Sequence, residues 1–119
     1  MEEHFSTNSM TISPGVIDRV IALAAEEVEE VAVVSSYVSG GLISQLISRA
    51  RREAITVDIT QDGKLNCKVH LFVYYGCDIP KTAEKVRQNI ADEVLVQTGI
   101  EVENVDICVK GVEFKKQSA

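Results

Sequence analysis

The feature that most constrains the fold is a long alternation of apolar and polar residues in the middle of the chain. The pattern runs from Leu65 to Tyr75 without interruption. Its apolar members are Leu65, Cys67, Val69, Leu71, Val73 and Tyr75. Side chains of an extended strand point alternately to the two sides of a sheet, so this pattern is typical of a strand with one face against a hydrophobic core. We therefore predict a long strand in the interior of a sheet, with the apolar set facing the core.

The neighbouring sequence predicts a hairpin before this strand and a helical crossover after it. Upstream, the Asp-Gly pair within Gln61–Lys64 favours a hairpin turn, and a second alternating strand precedes it. Downstream, a helical stripe over about 80–98 ends before Gly99, a residue type that commonly ends helices. A last strand is predicted over 104–114, with a bulge at Gly111. A right-handed crossover makes that strand parallel to the central one.

The first half of the chain predicts two more helices. Ser13-Pro14 is typical of a helix start, with Ser13 as the cap. A shorter helix is predicted over 42–53, and Val31–Val34 fits either a strand or a bend. The apolar stripe of the first helix is Ile17, Val20, Ile21, Ala24 and Val28, and that of the crossover helix is Ala83, Val86, Ile90 and Val94.

Together these elements predict an α+β fold. We expect a two-layer α/β sandwich, in which a small mixed sheet contains the hairpin and the β-α-β crossover and the helices lie mainly on one face. A chain of 119 residues is long enough for one domain. We expect that domain over 10–114, with flexible tails at 1–9 and 115–119.

Charge and hydropathy exclude some function classes. The formal net charge is −6, which disfavours nucleic acid and anionic lipid as partners. No apolar run approaches the roughly 20 residues that cross a bilayer, and the acidic start does not resemble a signal peptide. We therefore expect a cytoplasmic protein that does not insert into the membrane directly.

The residue types that carry chemistry do not form a recognisable site. Three cysteines fit no C-x-x-C spacing, and we expect buried thiols at Cys67 and Cys108. Cys67 and His70 are three apart in a strand, so they point to opposite faces and do not share a metal ion. Cys77 has no positioned base beside it, and Asp78 is better placed to cap the crossover helix. We expect no catalytic residue, no metal and no cofactor, and hence no enzyme.

Two groups of residues are candidates for contact with partners. His70, Phe72 and Tyr74 lie on the strand face opposite the core and are expected to be exposed, forming a candidate interaction face. The alternative is that bulky residues simply occupy an open sheet face. Arg49, Arg51 and Arg52 form a candidate basic patch, or else they complement the C-terminus of the short helix.

An acidic cluster lies near the end of the first helix, where the helix dipole would prefer cations. Its members are Glu26, Glu27, Glu29 and Glu30. The simplest interpretation is a solvated acidic surface. A metal ion or a cationic partner is the alternative.

Three stretches carry a family resemblance. Residues 11–32, 69–80 and 98–114 match, in order, motifs that begin I-S-P-x-V-I, V-x-V-x-x-x-Y-G-x-x-I-P and T-G-L-x-V. By these motifs the chain resembles the alkaline shock protein family of Gram-positive bacteria, also called the general or envelope stress response family. Two departures are Glu30, where the family commonly has Gly, and 35–53, the least family-like segment.

The resemblance implies a non-enzymatic cytoplasmic protein with a small α/β sandwich fold. Some members are linked to cell-envelope homeostasis and gather at the membrane through a separate anchor protein, and others are linked to lipid metabolism. The family has no agreed catalytic or ligand residues, so none is assigned here. The resemblance favours an interaction or scaffold protein of the envelope stress response. Its expected partners are further copies of itself and a membrane-anchored protein at the inner face of the cell membrane.

Two alternatives stay open. One is a regulator linked to lipid metabolism. The other is a KH-like nucleic-acid-binding module, because small α/β sandwiches include such domains. The G-x-x-G loop of KH domains is absent, and the acidic net charge also opposes this second alternative.

Overall fold

The computed structural model describes residues 5–7, 10–35 and 53–115. The predicted short helix over 42–53, apart from Glu53, and the arginine cluster lie outside the described residues. The elements in chain order are β1 (Phe5–Thr7), β2 (Met10–Ile12), α1 (Pro14–Glu26), β3 (Val31–Val34), β4 (Ile55–Ile59), β5 (Leu65–Tyr74), α2 (Ile79–Thr98) and β6 (Val102–Glu113).

The sheet is mixed and is built around β5. β6 pairs with it in parallel, whereas β3 and β4 pair with it antiparallel. β3 aligns with Leu71–Val73 and β4 with Leu65–Val69. Because a strand has only two edges and β6 follows one of them, β3 and β4 share the other, end to end. The predicted mixed sheet, hairpin and parallel crossover are confirmed, and Val31–Val34 is a strand.

The backbone of His70 marks the junction between β3 and β4. Its N–H donates to Ala54 O at 2.8 Å, and its C=O accepts from Ser35 N at 3.1 Å. Ser35 and Ala54 therefore lie beside the same residue of β5, at the point where the pairing changes from β3 to β4.

The turn between β4 and β5 has the predicted chemistry. Thr60 N donates to Lys64 O at 2.8 Å, which closes the loop. Gly63 has φ 78°, a left-handed conformation that glycine adopts without steric cost. The turn holds β4 and β5 in a register with Ile59 opposite Leu65.

The ends of α2 and the start of α1 were predicted correctly, although the cap residue of α1 lacks the expected side-chain hydrogen bond. Asp78 caps α2 by accepting a hydrogen bond from Lys81 N at 3.1 Å. Gly99, with φ 77°, ends that helix and donates to Leu95 O at 2.9 Å. Ser13 occupies the cap position of α1, but its side chain makes no cap hydrogen bond. Pro14 at the first helical position is then the main start signal.

The core lies between the helices and one face of the sheet, and it is almost entirely aliphatic. The predicted stripe of α1 is buried throughout, although Val28 lies just past the end of the helix. In α2, Ala83 is only half-buried, and Thr82 and Thr98 complete the buried stripe with Val86, Ile90 and Val94. Burying one large aliphatic side chain stabilises the fold by about 1.5–3 kcal/mol, so these stripes hold the two layers together.

The ends of the chain differ from the predictions in two places. β1 pairs antiparallel with β2, so 5–7 are not part of a free tail. β6 starts at Val102, two residues earlier than predicted. The predicted bulge near Gly111 is present, since the β5–β6 register shifts between Leu71 and Phe72.

Candidate interaction surface

Strand β5 presents two faces, of which only one belongs to the main core. The core face consists of Leu65, Cys67, Val69, Leu71 and Val73, all buried. The opposite face, called the outer face below, consists of Asn66, Lys68, His70, Phe72 and Tyr74. Lys68 is exposed, whereas Asn66, His70 and Tyr74 are half-buried. β6 continues this face with residues such as Asp106 and Cys108, which pair with Lys68 and His70.

Phe72 is buried, and its predicted exposure is wrong. Only 4% of its surface is accessible, although it does not belong to the main core cluster. Its ring lies over Gly111 of β6: a Cβ on Gly111 would lie 3.0 Å from Cε2 of the ring and 3.2 Å from Cδ2. Phe72 is therefore a packing residue, and it is not available to bind a partner.

His70 lies beside Phe72 with a polar atom enclosed. Its Nδ1 is buried and has no hydrogen-bond partner among the described residues. The same is true of Oδ1 of Asn66, four residues away on the same face. Burial lowers the pKa of His70, the charges of Lys110 and Lys68 lower it further, and Asp106 opposes them. The imidazole is therefore held neutral at physiological pH.

An exposed apolar surface lies where β5 and β6 end. Tyr75 and Phe114 are 69% and 76% exposed, and their ring centroids are 5.0 Å apart. Val112 is also exposed. We call these three residues the aromatic cluster. Beside it, Lys115 Nζ lies 5.4 Å from the centroid of the half-buried Tyr74 ring, at cation–π distance.

Tyr75 is exposed, and its predicted place in the core is wrong. The alternation continues to Tyr75, but β5 ends at Tyr74 and Gly76 turns the chain away with φ 95°. An alternating pattern predicts the direction of side chains only within a strand. Gly76, immediately after Tyr75, was the signal in the sequence that the strand ends there.

A groove with acidic residues lies between the end of α1 and α2. Its charged and polar lining includes Glu27, Glu29, Glu30, Lys85, Asn89 and Asp92. Lys85 Nζ donates to Glu30 at 2.7 Å. This hydrogen bond lowers the pKa of Glu30 and raises that of Lys85, but an exposed pair adds little stability. Asn89 Nδ2 donates to Ala24 O at 2.6 Å and so caps the end of α1 from the neighbouring helix.

The acidic cluster is therefore partly structural. Glu26 accepts a hydrogen bond from Val34 N at 3.0 Å, which ties the end of α1 to β3. Glu27 and Glu29 are exposed at the rim of the groove. The cations that the end of α1 lacks in its own sequence are supplied in part by Lys85 of α2.

The cysteines and histidines do not form a metal site within 5–7, 10–35 and 53–115, where no three potential ligands come together. Cys67 faces the core, and burial raises the pKa of its thiol to about 12. His70 lies on the opposite face, so the predicted separation of Cys67 and His70 is confirmed. Cys77 and Cys108 are half-buried free thiols.

The described part of the chain contains no helix long and apolar enough to cross a membrane. Arg49, Arg51 and Arg52 lie outside the described residues, so the candidate basic patch stays a prediction.

Comparison of the fold with solved structures gives a second view of the architecture. The MamM CTD in its copper form matches with a TM-score of 0.52 at 11% identity, over 88% of this chain and 92% of that one. A variant of the same domain matches with a TM-score of 0.52 at 13% identity, over 85% of this chain and all of that one. At such low identity the similarity concerns the fold alone.

The sequence comparisons are more specific. The uncharacterized protein YqhY of Bacillus subtilis (strain 168) is 29% identical over 103 residues, which cover 87% of this chain and 76% of YqhY. Residues 2–114 match the model of the alkaline shock protein 23 family, a family with a cell envelope-related function. Since this match spans nearly the whole chain, the protein belongs to the alkaline shock protein family.

Proposed function

We propose that this protein serves a function of the cell envelope by binding other proteins, without catalysing a reaction. The observation that carries the proposal is the family match over 2–114, because that family has a cell envelope-related function. The proposed partners are a membrane-anchored protein, which would hold the chain at the inner face of the membrane, and further copies of the chain itself.

The aromatic cluster supports a binding role. The rings of Tyr75 and Phe114 lie 5.0 Å apart with a tilt of 35°, and both residues are exposed. Exposed aromatic side chains present large apolar areas at a small cost in conformational entropy, and they are enriched where proteins bind one another. We propose this cluster as the contact surface, in place of the predicted face of His70, Phe72 and Tyr74.

A complementation experiment tests the envelope role. The gene is deleted in its own host, and growth is measured after an alkaline shift and in the presence of a cell-wall antibiotic. We expect the deletion strain to be sensitive and the parent gene to restore growth. A deletion strain that withstands both challenges as well as the wild type would contradict the envelope role.

The same strain tests the contact surface. We expect Tyr75→Ser with Phe114→Ser to restore growth poorly, although the variant is folded and present at parent level. Val96→Ser is the matched control, because Val96 is 80% exposed on α2 and lies outside the cluster. Full restoration by the double variant would exclude the aromatic cluster. A variant changed at Arg49, Arg51 and Arg52 tests the basic patch, which stays a prediction.

A further inference from the structure

Strand β6 leaves one edge without a partner strand in the part of the chain that the structure describes. β6 is 12 residues long and, among the strands that the structure describes, pairs with β5 alone. The backbone of His70 faces β3 and β4, so its neighbours Val69 and Leu71 face β6. Ile107, aligned with Val69, and Val109, aligned with Leu71, then direct their N–H and C=O groups away from β5.

One side chain confirms this direction and limits the available edge. Arg87 Nε, from α2, donates to Val105 O at 3.0 Å, so that carbonyl also points away from β5. Arg87 covers the edge at Val105. The register shift at Gly111 interrupts it on the other side. Between them, Ile107–Val109 is a short, regular stretch of strand edge whose backbone groups have no partner strand among the described residues. Such an edge can pair with another strand.

We propose that this edge pairs antiparallel with the same edge of a second copy of the chain, about a two-fold axis at Cys108. The two sheets then form one continuous sheet across the axis. The inference rests on the proposed function, in which the protein binds further copies of itself. It deepens that function by naming the surface through which the copies bind.

The charges of β6 select this register. With the axis at Cys108, Asp106 of each copy aligns with Lys110 of the other copy, one residue beyond each end of the paired stretch Ile107–Val109. Opposite charges across a strand pair are favourable. Neither residue takes part in an ion pair among the described residues. Asp106 aligns with Lys68 of the outer face. The charges of Asp106 and Lys110 both act on the pKa of His70, on that same face.

Other registers lose this complementarity. With the axis at Ile107, Asp106 lies opposite Cys108 and no charge faces an opposite charge directly. With the axis at Asp106, the two aspartates face each other, and like charges directly opposite are destabilising. In the proposed register, Ile107 lies opposite Val109 of the second copy, so apolar residues meet on the helix side of the sheet.

The register brings a native cysteine to the two-fold axis. Cys108 directs its backbone groups towards β5, so the two copies of Cys108 form a non-hydrogen-bonded pair, with Cα atoms about 4.5 Å apart. This distance lies within the range that a disulfide bridges. A shift of the axis to Ile107 moves the two thiols out of direct opposition, so mild oxidation reports the register.

The first experiment cross-links the purified full chain with a mild thiol oxidant. We expect a disulfide-linked dimer from the parent and from Cys77→Ser, and none from Cys108→Ser. Analytical ultracentrifugation without oxidant should show a dimer fraction that rises with concentration. A monomer at every concentration overturns the proposal. A dimer that forms a disulfide only through Cys77 overturns it as well.

The second experiment tests the charge pairs. Asp106→Lys and Lys110→Glu should each weaken self-association by about 2- to 30-fold, the range expected for two cross-strand charge pairs. An equimolar mixture of the two variants should associate at least as well as the parent, because each supplies the charge that the other needs. Glu103→Lys and Lys81→Glu are controls with the same change of charge outside the paired stretch. Failure of the mixture to associate overturns the register.

These outcomes are separable from those of the proposed function. A monomeric protein whose gene still restores growth after envelope stress would end the β6 pairing and leave the envelope role standing. A dimer cross-linked at Cys108 from a gene whose deletion has no envelope phenotype would do the reverse.

Discussion

On the core face of β5, Leu65, Val69 and Val73 are fully buried against the helices. On the outer face, exposure changes from one residue to the next: Lys68 is exposed, and Phe72 is as inaccessible as a core residue. The core face is uniform because every position packs against the same aliphatic layer. The outer face is mixed because each residue has its own surroundings.

The two faces also treat polar atoms differently. Cys67 on the core face is a weakly polar thiol that burial keeps protonated. The outer face encloses Nδ1 of His70 and Oδ1 of Asn66 without partners in the described residues. Buried polar atoms without hydrogen bonds cost free energy, so the outer face gains less from burial than the core face does.

The largest expected effect comes from comparing Phe72 with its core-face neighbour Leu71. Phe72→Ala should lower the free energy of unfolding by about 3–5 kcal/mol and Leu71→Ala by about 2–5 kcal/mol, because both remove buried volume. Lys68→Ala, on the exposed part of the outer face, should change it by less than about 0.5 kcal/mol. Urea denaturation followed by circular dichroism measures all three.

A Phe72→Ala variant as stable as Lys68→Ala would restore the sequence-based interpretation of Phe72 as an exposed contact residue. It would also make Phe72→Asp a test of self-association. With Phe72 buried, Phe72→Asp places a charge in an apolar site and is expected to unfold the protein instead.

The second comparison concerns Gly111, which lies under the Phe72 ring. Gly111→Ala should destabilise the fold by about 1–3 kcal/mol, because the added methyl group meets a ring that is itself enclosed. The same substitution in a Phe72→Leu background should cost much less, because the ring atoms that it meets are gone. A double-mutant cycle in urea measures this coupling. Equal costs in both backgrounds would show that the ring moves aside freely.

The parts of this fold that depend on local chemistry were predictable from the sequence. Alternation located β5 and its core face, and Asp-Gly located the hairpin turn. Asp78 and Gly99 marked the ends of α2 because capping depends on one side chain or one backbone angle. Such signals need no knowledge of what packs against the element.

The predictions failed where the burial of a residue depends on what packs against it. Alternation gives the direction of Phe72 but not whether anything covers it, so its burial was missed. The buried face of α2 was predicted from apolar residues alone, so the prediction did not include Thr82 and Thr98. Both threonines are buried because their hydroxyls donate to helix carbonyls, Thr82 to Asp78 O at 2.9 Å and Thr98 to Val94 O at 2.6 Å.

The candidate site was the least predictable part. The aromatic cluster joins Tyr75 to Val112 and Phe114, which are distant from it in sequence and lie beside it because β6 is parallel to β5. The free edge of β6 likewise depends on strand order, which local sequence patterns leave undetermined. Both surfaces follow from the topology of the sheet and from no motif.

The smallest expected effect is the contribution of His70 to the pH dependence of stability. It tests the contrast between the polar atoms on the two faces of β5. The pKa of His70 is lowered in the folded state, so the unfolded chain binds a proton first as pH falls. The stability associated with neutral His70 is therefore complete above about pH 6.5, the ordinary value for histidine. It is lost as pH falls from there to the lower folded-state pKa.

His70→Gln removes this dependence while keeping a polar side chain of similar reach. We expect the free energy of unfolding of the parent to fall more steeply than that of His70→Gln between about pH 7.5 and pH 5.5, in matched urea titrations. Carboxylates that titrate in the same range affect both proteins alike, so the difference between the two slopes isolates His70. Parallel slopes would mean that the enclosed Nδ1 accepts a proton as easily as a solvated histidine does. In that case the outer face would be open to water at His70, and only Phe72 would distinguish it from an ordinary exposed sheet face.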